Sequence, residues 1–309
     1  MLRFILGLIG GIFALAMIGS LFSGLKTYFS NPPAQLASDV FHKEPRELHL
    51  ASDGPFGSFK RNQAQLQRGF QVYSEVCSAC HSLKLVSFRD LQGIGYNDAE
   101  IKKIASDWKT QVASINPDTG EASTRKALPS DTFPPPFANE VAARAANNNA
   151  LPPDLSLITK AREGGASYVY SLLTGFQAQP AELLKRFPEA KTPPNLHFNP
   201  YFANLNIAMP PPLTTEGQVS YADSTKPTVD QMATDVAAFL VWTAEPNLGN
   251  RHSAGLAISV FLFCAAVLAY LAYQQIWHDA KRAVRVTGAL DPKNQAKSKR
   301  AKAKQGVAG

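Results

Sequence analysis

Cys77-Ser78-Ala79-Cys80-His81 sets two thiols three positions apart and follows them at once with an imidazole. That spacing is the pattern for covalent attachment of a c-type haem, because one short turn must bring two sulfurs to the vinyl groups and a ring nitrogen to the iron. Two simpler readings compete: Cys-x-x-Cys can be half of a zinc site or a redox dithiol. Zinc needs four ligands, and the remaining cysteine, Cys264, lies inside an apolar run. A dithiol needs no adjoining histidine. The residues therefore favour one covalently bound haem c, held by Cys77 and Cys80 with His81 on the iron.

Working outward, residues 62–76 place Leu66, Phe70, Tyr73 and Val76 at helical spacing and deliver the chain into that motif. Gly69, in the middle, is costly in a helix unless a second helix packs closely there. The run 228–244, with Val229, Met232, Val236, Phe239, Leu240 and Thr243 on one side, supplies a candidate partner. Between them lie Phe133-Pro-Pro-Pro136, Ala150-Leu-Pro-Pro-Asp154, Thr192-Pro-Pro-Asn195 and Met209-Pro-Pro-Pro212, where proline fixes angles and removes donors. Such stretches suit irregular walls around a flat apolar macrocycle.

An electron-carrying haem needs its second axial position filled, and a thioether opposite imidazole raises the potential. Met209 sits in an apolar loop stiffened by three following prolines and is the leading candidate. Met232, on the apolar side of its helix, reads more simply as core filler. His197 stays a competitor. His42 and His49 read as surface residues, His252 and His278 as residues flanking a membrane helix, and Met1 and Met17 lie at the wrong end of the chain.

The 309 residues carry a formal charge of +7. From Asp279 onward, nine Lys and Arg against two Asp account for all of it, so the basicity belongs to a tail. Nucleic-acid binding needs a basic face on a folded domain and is excluded on that ground. Ser253–Trp277 has no charged residue, and about 20 such residues span a bilayer. Tyr270, Tyr273 and Trp277 sit toward one end, and Lys281, Arg282 and Arg285 follow, which predicts a cytoplasmic tail. Phe4–Leu25 is a second apolar run, serving as secretory signal or retained anchor. The expected fold is mainly α: a class I-like cytochrome c haem domain with long Pro-rich loops, plus a C-terminal transmembrane helix. Its expected divisions are an N-terminal hydrophobic segment at 1–29, a periplasmic haem domain at 30–250, the membrane helix at 251–279, and a basic cytoplasmic tail at 280–309 that lacks order beyond residue 290.

With these motifs in hand, the chain from about residue 40 to 285 resembles the cytochrome c1 family, the haem-bearing subunit of the cytochrome bc1 complex. The most specific matches are Ala145-Ala-Asn-Asn-Asn-Ala-Leu-Pro-Pro-Asp-Leu-Ser156, Ala161-Arg-Glu-Gly-Gly165, Ser171-Leu-Leu-Thr-Gly175, Asn199-Pro-Tyr-Phe202 and Phe239-Leu-Val-Trp-Thr-Ala-Glu-Pro246. The resemblance implies thioethers at Cys77 and Cys80 and axial ligands at His81 and Met209. It implies a haem lining of Asn147, Ala150, Pro152, Pro153, Ile158, Tyr168, Leu172, Leu173 and Pro212, with Arg162 meeting a propionate. It also implies an inner-membrane subunit of quinol–cytochrome c reductase, with no bond-making site of its own. That subunit takes one electron from the Rieske iron–sulfur protein and passes it to a c-type cytochrome. Cytochrome b, the Rieske subunit, membrane lipid and a dimeric complex are the implied surroundings. One departure stands out: Ala166 and Ser167 follow Gly164-Gly165, where the family often has acidic residues. Charge steering of a basic partner is correspondingly weaker, and the acceptor is expected to be less basic or membrane-tethered. The rival readings are a free-standing anchored cytochrome c donating to a terminal oxidase and, less well supported by the apolar Met209 loop, a haem peroxidase or sensor.

Overall fold

The computed structural model of the chain describes residues 2–32, 34–51, 62–283 and 291–305. They fall into two units, one ending at Pro246 and the other starting at Asn247. In the first unit, helix α1 (Leu2–Ser30) and the short α2 (Ala37–Phe41) precede α3 (Gln63–Glu75). Then come α4 (Asp98–Ser106), the hairpin β1 (Val112–Ile115) and β2 (Ala122–Arg125), α5 (Glu140–Ala146), α6 (Ile158–Ala161), α7 (Gly165–Thr174) and α8 (Ala181–Arg186). A two-residue pair, β3 (His197–Phe198) and β4 (Asn206–Ile207), precedes α9 (Val229–Ala244). Both sheets are antiparallel pairs, and the architecture is mainly α.

The two sequence-predicted helices form and pack on one another. Asn62 caps α3 by accepting from the Gln65 amide at 3.3 Å, and Thr228 caps α9 by accepting from Gln231 at 3.1 Å. A Cβ at Gly69 would stand 2.1 Å from the Asp235 carbonyl oxygen, so α9 approaches at a distance that only glycine permits. Across the same contact Arg68 donates from Nε to the fully buried Asp235 at 2.8 Å, and its NH1 reaches Asp223 at 2.7 Å.

Around that seam lies an aromatic core of Phe70 and Tyr73 from α3, Phe88, Trp108, Phe133 and Phe239. Phe88 and Phe133 have ring centroids 4.3 Å apart, and Trp108 and Phe133 4.9 Å, in tilted and edge-on arrangements that aromatic quadrupoles favour. Met232 is fully buried in this core, the filler position anticipated for it. A satellite cluster of Leu183, Phe198 and Leu205 ties α8 to the β3–β4 pair. The four proline stretches carry neither helix nor strand.

The second unit holds α10 (Leu248–Ala283) and α11 (Pro292–Gln305). Helices Arg3–Ser30 and Leu248–Lys281 are long and apolar enough to cross a membrane, and neither buries its apolar surface within the protein. Of the basic flank, Arg285 lies outside the described residues. The expectation of an unordered tail beyond 290 is corrected, since 292–305 is helical. Asp291 starts that helix by accepting from the Lys293 amide at 2.8 Å, and the Lys, Ala, Gln and Arg that follow are strong helix formers.

Candidate haem-binding site

The end of α3 runs directly into a single 3-10 turn at Cys77–Ala79. The amides of Cys80 and His81 both donate to the Cys77 carbonyl, at 3.1 and 2.9 Å, and Ser78 Oγ donates to the Ser74 carbonyl at 2.7 Å. This compact turn presents a half-buried Cys77 and an exposed Cys80. Burial, with Cys80 adding, pushes the Cys77 thiol up to about 12. A redox dithiol needs the opposite shift, toward thiolate, so that reading loses its chemical basis. Among the described residues no three His, Cys, Asp or Glu side chains gather as a metal cluster.

His81 is held on both sides. Tyr73 Oη donates to its carbonyl at 3.1 Å. Its ring Nδ1 lies 2.8 Å from the Pro153 carbonyl oxygen. A carbonyl only accepts, so Nδ1 carries the proton and the lone pair of the neutral ring sits on Nε2. Burial lowers the imidazole's pKa and outweighs the Pro153 contact, keeping that neutral, metal-binding form. A backbone carbonyl oriented this way is the usual companion of a ligating histidine.

The Pro-Pro-Asp stretch that supplies this carbonyl is itself laced to the residues after His81. Asp154 Oδ2 accepts from Ser82 Oγ at 2.8 Å and from the Lys84 amide at 2.9 Å, and the Leu155 amide donates to the Ser82 carbonyl at 2.9 Å. Burial would push the Asp154 carboxyl up, but hydrogen bonds from Ser156, Lys84 and Ser82 outweigh it and hold it below the ordinary range.

The remaining expected residues differ in burial and in the elements that carry them. Ile158 is buried in the main core, and Cys77, Tyr168 and Leu173 pack against that core half-buried. Ala150, Pro152, Leu172 and Pro212 are half-buried, while Pro153 is exposed. Asn147 ends α5, its Nδ2 donating to the Ala143 carbonyl at 2.7 Å, and Asn148 and Asn149 take left-handed backbone with φ of 51° and 63°. The triple asparagine thus turns the chain out of α5 toward Ala150-Leu-Pro-Pro, since asparagine tolerates that region better than most residues. Arg162 is exposed and lies beside the Tyr168 hydroxyl. Met209 is half-buried two residues past β4, and Pro211 and Leu213 share a cleft of about 550 Å³ with Leu173, Leu196 and Phe198. His197 lines that cleft.

This donor set fits a haem: two thiols on one turn, an imidazole fixed to coordinate through Nε2, and a wall of half-buried aliphatic and proline side chains. Asp154 and Asn199 are structural members that the sequence reading left without a role. Their signal was present, since both stand in stretches singled out as specific, but their partners are distant in the chain.

Residues 50–280 match the family model described as the Cytochrome C1 family. Cytochrome c1 of Rhodospirillum rubrum is 43% identical over 242 residues, covering 74% of this chain and 85% of that protein. A mitochondrial cytochrome c1 haem protein of Arabidopsis thaliana is 41% identical over 266 residues, covering 86% and 82%. The cytochrome b/c1 of Bradyrhizobium diazoefficiens is 41% identical over 242 residues, covering 74% of this chain and 34% of that longer protein.

Proposed function

Because the chain belongs to the cytochrome c1 family, whose members carry a covalent c-type haem and are subunits of the bc1 complex, we propose that it is the electron-transfer subunit of a bacterial-type quinol–cytochrome c reductase. In this role it takes one electron from a Rieske iron–sulfur protein and hands it to a c-type cytochrome, soluble or membrane-tethered. A bound haem supplies the one-electron iron couple that this transfer requires.

The chain's own residues hold and tune that group. Cys77 and Cys80 contribute the thioethers. His81 would offer Nε2, its ring kept in the right tautomer by Pro153, and Met209 would offer a neutral sulfur as the second protein ligand. Arg162 meets a propionate with a bidentate fork. Asn147, Ala150, Pro152, Pro153, Ile158, Tyr168, Leu172, Leu173 and Pro212 line the group and keep water from it, which favours the less charged, reduced state. Helix α10 anchors the haem domain at the periplasmic face of the inner membrane, with the basic tail in the cytoplasm. Cytochrome b, the Rieske subunit, lipid and a second copy of the complex are the proposed neighbours.

The observation that carries this reading is the 2.8 Å contact from His81 Nδ1 to the Pro153 carbonyl, which joins the Cys-x-x-Cys-His turn to one of the family's most specific stretches and prepares His81 as a ligand. Three measurements test it. A pyridine haemochrome assay on the purified chain should show the two-thioether signature, and a chain that is colourless under denaturing conditions refutes it. Met209→Leu should leave the haem attached, lower its potential and let the reduced protein bind carbon monoxide; an unchanged potential with no such binding refutes the sixth ligand. Purification in mild detergent should bring cytochrome b and the Rieske protein along, whereas a chain that purifies alone favours a free-standing carrier.

A further inference from the structure

The segment that delivers Met209 is held by a residue with no assigned role. Asn199 is fully buried in the turn between β3 and β4, and every polar group it has is in use. Its amide donates to the Leu205 carbonyl at 2.8 Å, and its carbonyl accepts from Phe202 at 3.1 Å. Its Oδ1 accepts from the Tyr201 amide at 3.1 Å, and its Nδ2 donates to the Leu172 carbonyl at 2.8 Å. One side chain thus shapes the turn and bolts it to α7, beside the proposed haem-lining Leu172 and Leu173.

Two further observations show why such a bolt is needed. Leu205 closes the turn with φ of 67°, a left-handed conformation that is strained for leucine and persists only when its surroundings impose it. A cleft of about 550 Å³ is lined by Leu173 and Thr174 of α7, by His197 and Phe198 of β3 and by Pro211 and Leu213. The Asn199–Leu172 bond, the Gln177 amide donating to the Phe198 carbonyl at 3.5 Å and the close seat of the Tyr201 ring, where a Cβ at Gly175 would come within 2.4 Å of Cδ2, join hairpin and helix beside it.

We propose that Asn199 is a positioning residue for Met209: by tying the β3–β4 turn to the Leu172 carbonyl it sets the register in which the methionine sulfur reaches the iron. The inference rests on the reading of Met209 as axial ligand, and the experiment separates the two. The full-length haem-loaded protein carrying Asn199→Ala should keep both thioethers. It should lose the weak red absorption band of methionine-ligated ferric haem in most molecules, a shift on the order of tenfold for one buried hydrogen bond. Its potential should fall and its reduced form should bind carbon monoxide. Asn199→Asp keeps an oxygen for the Tyr201 amide and sets the other against the Leu172 carbonyl in place of the donor, so it should show the same signature and serves if the alanine variant does not fold. Thr243→Val, which removes a buried hydrogen bond to the Leu240 carbonyl in α9, is the matched control and should change none of the three readouts. Met209→Leu sets the end point. If it shows the ligand-off signature while both Asn199 variants keep band and potential, Asn199 has no positioning role. An identical change in Thr243→Val reduces the effect to general destabilisation and overturns the proposal too. If Met209→Leu itself is silent, the ligand assignment fails first.

Discussion

At Asp154 a single carboxylate decides whether His81 has a fixed neighbour. Its oxygens accept from Ser82, the Lys84 amide and the Ser156 amide, stitching the Pro152-Pro153-Asp154 stretch to the residues that follow His81. Removing the acceptor leaves buried donors unsatisfied, so Asp154→Asn should cost about 1–3 kcal/mol in urea unfolding at neutral pH. The sign of the pH dependence follows from the lowered carboxyl. Because the folded group holds its charge more tightly than the unfolded one, its stabilisation is complete above the ordinary carboxylate value near ~4 and fades as pH falls below that value. Wild type should therefore lose more stability than Asp154→Asn between pH 5 and pH 3; parallel curves would show that the carboxylate is not the acid-sensitive group. The same scale explains a limit of sequence reading. Cys77, Cys80 and His81 announce their chemistry by spacing alone, whereas Asp154 looks like any loop aspartate until the Ser82–Lys84 backbone is seen against it.

At the level of elements, the α3–α9 pair is the frame on which the haem turn is mounted. Both helices were legible from apolar periodicity, and Gly69 marked the contact because glycine inside a helix is otherwise a liability. With 2.1 Å between its notional Cβ and the Asp235 carbonyl, Gly69→Ala forces the helices apart. Overpacking of this kind costs about 1–3 kcal/mol or more, and the melting temperature should drop by several degrees while the covalent haem stays attached. An unchanged melting curve would mean that the seam can relax. Arg68 straddling Asp235 and Asp223 was not legible, because those partners lie on another helix and a distant loop. The short helices α4 to α8 were also missed: α4 and α5 start on asparagine caps, α6 to α8 have no side-chain cap, and all lean on buried residues more than on their own periodicity. In α4, for instance, Asn97 accepts from the Ala99 and Glu100 amides at 3.0 Å each.

For the whole molecule, charge and hydropathy along the chain divide it into anchor, haem domain and tail. Phe263 lies near the middle of α10 with its ring exposed. An arginine at a membrane helix centre costs about 2.5–3.5 kcal/mol on insertion scales, so Phe263→Arg should shift the chain from the membrane fraction toward the soluble fraction or degradation. Full retention in carbonate-washed membranes would mean that α1 alone suffices. Spacing and polarity along the chain already point to a haem-bearing turn, to helices flanking it and to apolar segments at both ends. These features rest on contacts between near neighbours or on the bulk polarity of a run. Only the tertiary structure decided which carbonyl orients His81, which carboxylate braces that carbonyl and which asparagine ties Met209's turn to α7. Each of those is a single directional bond between residues dozens of positions apart, and no local pattern of residue types encodes which donor will meet which acceptor.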